Sequence, residues 1–192
     1  MSRRLLGLGF FVAWFLGGAP LSAASFFLTP EEARDAIRVG QQSVVSEEFG
    51  KGWQVVNPNG ESLTVLTPFH RLALAARNAA FKKEALKPRE VEALLKEHGG
   101  KLLFWARLHG SRVDFARWYQ PVLLLPDKAE IKPSFIQNER TALRLEDGRY
   151  LARCLYSFPT QRLRPTGRVT LLIRDPDSKH VARFTLDLST MR

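Results

Sequence analysis

Arg168-Val-Thr-Leu-Leu-Ile-Arg174, Asp175-Pro-Asp-Ser-Lys179 and His180-Val-Ala-Arg-Phe-Thr-Leu-Asp-Leu188 decide the fold of this chain. Val169, Leu171 and Ile173 alternate with other residues, and so do Ala182, Phe184, Leu186 and Leu188. Side chains on a strand point to opposite faces in turn, so each run reads as a strand with one buried face. Asp175-Pro-Asp-Ser178 is rich in turn formers and joins the two as a hairpin. A turn there predicts Leu171 opposite Ala182 and Val169 opposite Phe184, with both apolar sets on one side. The other side then pairs Leu172 with Val181 and Thr170 with Arg183. Leu172 and Val181 are unusually apolar for a solvated face, which predicts a partial cover, with helices as the candidate.

Upstream, strands are predicted at Lys101–His109, Tyr119–Leu125, Glu130–Ile136 and Arg149–Phe158. Pro121, Pro126, Pro133, Pro159 and Pro165 fall at or near strand ends, where a missing N–H is tolerated. A further hairpin is predicted from Trp53–Val56 and Glu61–Thr67 around Asn57-Pro-Asn-Gly60. Three helices belong to the N-terminal half. Thr29-Pro-Glu-Glu32 carries an N-cap, a proline at the first position and a capping box, with Ala33, Ala36, Ile37 and Gly40 on one face. Thr67-Pro68 starts a second helix to about Lys83, with Leu72, Ala75, Ala76, Ala79 and Ala80 as its narrow stripe. Lys87-Pro88 starts a third, with Val91, Leu94 and Leu95 inward and Gly99-Gly100 as its stop.

The expected class is therefore α+β, with about eight antiparallel strands and three helices in the N-terminal half. The closing strands resemble those of an immunoglobulin-like sandwich over about the last ninety residues. Cys154 is the single cysteine, so the inter-sheet disulfide of antibody-type domains is absent. It shares parity with Tyr150, Ala152, Tyr156 and Phe158, and is expected to be a buried, unreactive thiol.

The first 24 residues read as a secretory signal peptide: Arg3-Arg4, an apolar run from Leu5 to Leu16, then the small-residue stretch Gly17-Gly-Ala-Pro-Leu-Ser-Ala-Ala24. Cleavage is expected after Ala24, leaving residues 25–192 as one compact domain. Left uncleaved, the segment is just long enough to anchor the chain in a membrane. With no cysteine near the cleavage region, lipid attachment there is excluded. Ser2-Arg3-Arg4 is similar to a twin-arginine signal, but the short n-region and very apolar core favour general secretion. A periplasmic or secreted location is the expectation.

Composition is that of a globular domain, with 45% hydrophobic and 25% charged residues. The formal net charge is +10, and Arg3 and Arg4 account for only two of those charges. The domain itself therefore attracts anionic partners. Its charge is concentrated late in the chain, at Arg149, Arg153, Arg162, Arg164, Arg168, Arg174 and Arg183, with Lys179 among them. Arg153 and Arg183 have outward parity, and Arg162, Arg164 and Arg168 surround one loop. Were those strands neighbours, these arginines would make one patch suited to carboxylate, phosphate or sulfate. An ordinary solvated sheet face has the same composition. Trp105 has opposite parity to Phe104, so one of the two leaves the core. With Trp118, which follows Arg117, it could line a groove for sugar, protein or single-stranded nucleic acid. Packing against helices is the alternative use of these aromatics.

Catalytic signals are weak. His70, His98, His109 and His180 show no metal-ligand spacing and are expected at the surface. There is no Gly-x-Ser-x-Gly elbow, and Gly99-Gly100 ends a helix instead of opening a phosphate loop. Candidate carboxylates are limited to Asp114, Glu130, Asp147, Asp175 and Asp177. No cofactor or metal is implied. The expectation is a non-enzymatic exported binding protein that contacts a protein partner or an anionic envelope polymer or lipid, with nucleic acid disfavoured by export. The alternatives are an envelope hydrolase with a dispersed site and a structural subunit of an envelope assembly.

Overall fold

The computed structural model describes residues 23–192. The expected signal segment lies outside the described residues except for Ala23 and Ala24. Ala24 is buried, and its N–H donates to the Leu188 carbonyl at 2.9 Å.

Three helices form where their start signals stand. In α1 (Pro30–Gln42), the Thr29 hydroxyl accepts from the Glu32 N–H while the Glu32 carboxylate accepts from the Thr29 N–H at 2.7 Å. This reciprocal pair satisfies two amides that the helix itself leaves without partners. In α2 (Pro68–Phe81), Thr67 caps the His70 N–H. In α3 (Pro88–His98), Glu90 accepts from the Lys87 N–H, and Gly100, with φ near +70°, turns the chain just beyond its end. The buried side of α2 differs from the expected alanine stripe: Phe69, His70, Leu72, Ala73 and Ala76 face inward, while Ala75, Ala79 and Ala80 are half-buried. The larger Phe69 and Leu72 side chains win the interior because they bury more apolar surface.

Among the described residues ten strands replace the expected eight, and all pair antiparallel. The first sheet runs β1 (Gln54–Val56), β2 (Ser62–Leu66), β3 (Lys101–Gly110), β8 (Tyr150–Pro159), β6 (Phe135–Gln137), with β7 (Leu143–Arg144) also on β8. The second runs β10 (His180–Asp187), β9 (Arg168–Arg174), β4 (Gln120–Leu124), β5 (Glu130–Ile131). The predicted strand Glu130–Ile136 is thus two strands in two sheets. β5 pairs with β4 and β6 with β8, and Pro133 between them has no N–H for either ladder.

The β9–β10 register also differs. Leu171 faces Phe184 and Val169 faces Leu186: at the turn His180 already pairs with Arg174, one residue beyond the expected partner, and the pairing shifts by one more between His180 and Ala182. Relative to the expected pairing the slip is two residues, an even number, so every side chain keeps its predicted face. On the outer side Leu172 lies opposite Arg183 and Thr170 opposite Thr185. Leu172 is buried between its neighbours Val122 and Arg183, and the helices pack elsewhere.

The inner faces of the two sheets share one core. Leu63, Val65, Phe104 and Tyr156 come from the first sheet, and Leu123, Leu171, Phe184 and Leu186 from the second. Cys154 lies in this core as a free buried thiol. The helices build a second cluster from Ala33, Ala36, Phe69, Leu72 and Ala73, and Trp53 packs against both clusters. Among the described residues, no helix is long and apolar enough to cross a membrane.

Candidate functional site

β3 and β8 are central neighbours in the first sheet, and their ten-residue pairing sorts the side chains. Phe104 with Tyr156 and Ala106 with Cys154 point into the core. Alternation then sends Trp105 with Leu155, and Arg107 with Arg153, to the outer face. Trp105 is 49% exposed there. Arg107 and Arg153 stand directly opposite each other, and among the described residues neither guanidinium has an ion-pair partner. Like charges directly across a strand pair repel.

Glu139 stands beside it. Its carboxylate accepts the Arg153 backbone N–H at 2.6 Å, in the gap that β6 and β7 leave along β8. Trp105, Gln137, Glu139, Arg153 and Leu155 line a hollow of about 290 Å3. A second hollow of about 330 Å3 is lined by Arg117, Trp118, Ile136, Gln137 and Arg140. Gln137 belongs to both. Trp118 is 62% exposed, with the Arg117 guanidinium 4.9 Å from its ring centre. The two tryptophans therefore lie on one surface, to either side of the short edge strand β6. Phe135 and Ile136 of that strand are themselves exposed.

Beneath this surface the polar groups are fixed. Asn138 accepts from the Tyr156 hydroxyl at 3.1 Å and donates to the Tyr119 carbonyl at 2.8 Å. Burial pushes the Tyr156 phenol well above its usual range, and burial chiefly, with the Glu61 charge, pushes Tyr119 up to about 12. Burial also raises the Cys154 thiol. All three are neutral at physiological pH and offer no nucleophile.

The remaining arginines are distributed over other surfaces. Arg153 belongs to the first sheet and Arg183 to the second, so β8 and β10 are not neighbours and one continuous patch does not form. Arg183 shares the outer face of the second sheet with Arg174, which is paired with Glu130 at 2.6 Å. Arg149 is paired with Asp147 at 2.7 Å, in the turn before β8. Arg162, Arg164 and Arg168 do come together, around a hollow of about 340 Å3 whose wall includes Leu125, Pro126 and Asp127. Leu163 is buried between the first two and pins their loop, and Arg168 is paired with Asp187 at 3.3 Å.

Arg107 escaped the sequence reading, although it shares the parity of Trp105 two residues earlier. Gln137 and Arg140 escaped it too; the split at Pro133 is what brings Gln137 beside β8. Two of the histidines correct the surface expectation: His70 and His98 are buried. His70 stacks on Trp53 with ring centres 4.3 Å apart, and His98 accepts from the Arg71 guanidinium at 2.9 Å. Among the described residues, no three metal-ligating side chains converge. The candidate carboxylates Glu130, Asp147 and Asp114 form ion pairs with nearby arginines, and Asp175 accepts the Lys179 N–H within its turn.

No protein-family model matches the sequence, and no curated protein is similar to it. Among solved structures, a protein of unknown function from Burkholderia pseudomallei K96243 is similar at 12% identity and a TM-score of 0.42, over 85% of this chain and 92% of that one.

Proposed function

We propose that this chain is an exported, non-enzymatic binding protein of a bacterial-type cell envelope, and that the outer face of its first sheet is the docking surface. The carrying observation is the unpartnered Arg107–Arg153 pair beside exposed Trp105. Arginine and tryptophan are the residues that dominate binding energy when a partner covers them. A net charge of +10 biases that partner towards an anionic envelope component or a protein with an acidic surface. Export is supported by the charged, apolar and small-residue order of residues 1–24. A membrane-anchored form follows if that segment is retained.

Support for an immunoglobulin-like sandwich comes from strand order. β2-β3-β8-β7 would correspond to A-B-E-D of such a domain, and β10-β9-β4-β5 to G-F-C-C′. α2 and α3 would then be an insertion between A and B. One observation favours the reading as a structural subunit of an envelope assembly: β6 is a sheet edge whose Phe135 and Ile136 are exposed, a surface on which another strand can add.

The test is capture from solubilised envelope by the immobilised protein, compared with a Trp105→Ala, Arg107→Glu, Arg153→Glu variant. Loss of the captured material is expected for that variant. Arg183→Glu, on the other sheet, is expected to capture normally. Undiminished capture by the triple variant removes this face as the docking surface.

A further inference from the structure

We propose that residues 1–22 stay on the chain as a membrane tether, and that the end of the domain where they enter lies on anionic lipid headgroups through Arg162, Arg164 and Phe27. This rests on the envelope location proposed above and uses no part of the docking face on the first sheet. Ala24 is 1% exposed, belongs to the core shared by the two sheets, and donates its N–H to the Leu188 carbonyl. Cleavage after Ala24 removes a packed core residue and that hydrogen bond, so the fold favours a chain that keeps it. Residues 5–22 hold no charged side chain, a stretch just long enough for an anchor, and Ala23 is the next residue. An anchor there fixes Ala23 at the membrane surface, because the chain has no slack between them.

The surroundings of Ala23 suit that position. Ala23, Phe26, Phe27 and Pro165 line one hollow. Phe27 is 71% exposed, and an exposed phenyl ring gains on entering the headgroup boundary. Pro165 belongs to the β8–β9 loop, whose Arg162, Arg164 and Arg168 line a second hollow together. Loop and entry point meet at one residue: the Gly167 carbonyl accepts the Leu188 N–H, and the Leu188 carbonyl accepts from Ala24. Arg168 is paired with Asp187, but Arg162 and Arg164 are exposed and have no ion pair among the described residues. Lys101, opposite Pro159 where this loop begins, and Lys128, in the turn after Pro126, are exposed as well. Carboxylates stand here too, each with a local role: Asp127 accepts the Ala129 N–H, Glu32 caps α1 and Asp187 holds Arg168. Each basic side chain near an anionic bilayer strengthens attachment about fivefold, and a guanidinium takes a lipid phosphate as a bidentate pair. An apolar tether with a basic contact supplies the two signals that stable membrane attachment needs. A soluble polyanion meets the same charges with no tether to hold it there.

The test uses the full chain. Recovered from the membrane fraction of a bacterial host, it is expected to retain residues 1–22 by mass, and a mass that lacks them overturns the proposal. In vesicles containing phosphatidylglycerol, spin labels on Pro165→Cys and on Asn59→Cys report collisions with a lipid-bound nickel chelate. Asn59 lies in the β1–β2 turn beside the far end of β3, and the unaltered protein, whose Cys154 is buried, is the labelling blank. The label at position 165 is expected to collide several times more often than the label at position 59. Its collisions are expected to fall about twofold or more with Arg162→Glu and Arg164→Glu, and in vesicles of phosphatidylcholine alone. Equal collision at the two positions, or collision at 165 indifferent to both charge reversal and lipid charge, overturns the proposal. So does a single-stranded oligonucleotide that binds through Arg162 and Arg164 and frees the label from the lipid. The Trp105→Ala, Arg107→Glu, Arg153→Glu variant is expected to keep the lipid contact. If that variant loses envelope capture and the label at 165 meets no lipid, the sheet face stands and the membrane contact falls. Undiminished capture with the lipid contact intact gives the reverse.

Discussion

A Cβ added at Gly40 would lie 2.1 Å from the Ala73 carbonyl oxygen and 2.9 Å from the Ala76 Cβ, so the α1–α2 contact depends on a missing side chain. Gly40→Ala is expected to force the helices apart and cost about 1–3 kcal/mol, read as a lower denaturant midpoint. Two neighbouring residues make the same layer sensitive to acid. The His70 Nδ1–H donates to the Val65 carbonyl at 2.9 Å, which favours the charged ring but is outweighed by burial, and His98 accepts from Arg71, which favours the neutral one. Burial lowers both below the ordinary histidine value of 6.5, with the Arg71 charge a further cause. The unfolded chain therefore binds protons first as the pH falls. Stability from these sites is complete above pH 6.5 and is lost as the pH drops through 6.5 towards the folded values. Denaturant midpoints measured at pH 7.5 and 5.0 are expected to fall at the lower pH, and to fall less in a His70→Gln, His98→Gln variant. The cap residues Thr29, Glu32 and Thr67 were legible in the sequence because their partners are three residues away. The burial of His70 was not, since a polar residue in the first turn of a helix reads as exposed until Trp53 is brought onto it from another element.

Between elements, what the sequence reveals is parity, and what it conceals is partnership. The alternation in β8, β9 and β10 assigned Cys154, Leu171 and Phe184 to the interior, where they lie, and that in β3 put Phe104 and Trp105 on opposite faces without fixing which is inward. Alternation carries no information about which sheet a strand joins, and so Arg153 and Arg183 could be read as one surface although they occupy different sheets. The same gap hid Arg107, whose significance exists only because β8 places Arg153 opposite it. Short strands were harder still: β6 and β7 have three and two residues, too few for a period to register. Loops with a buried anchor are intermediate. Leu163 reaches the core from the β8–β9 loop and fixes how Arg162 and Arg164 are presented. Leu163→Ala is expected to cost about 2–5 kcal/mol in chemical denaturation.

Across the whole molecule the two clusters are joined at few points, and Arg192 is one of them. Its carbonyl accepts from the Trp53 indole N–H at 2.7 Å and from the Thr67 hydroxyl, while its guanidinium lies 4.6 Å from the Phe69 ring centre and pairs with Asp35. Met191 beside it is buried. A chain shortened by Met191 and Arg192 is expected to lose about 2–5 kcal/mol, seen as a lower thermal midpoint, because it gives up a buried methionine and leaves two donors without an acceptor. At the other end of the described chain, Ala24 donates to the Leu188 carbonyl, and the Phe26 carbonyl accepts from the Gly100 N–H. The contacts of Ala24 with Leu188 and of Arg192 with Asp35 and Trp53 span most of the described residues. During folding the helical layer and the first sheet therefore stay open, with Trp53 and Phe69 only partly covered, until residues 188–192 dock on them. Folding of this protein is then a late, chain-spanning closure with an aggregation-prone interval before it, slower than its helical content alone implies.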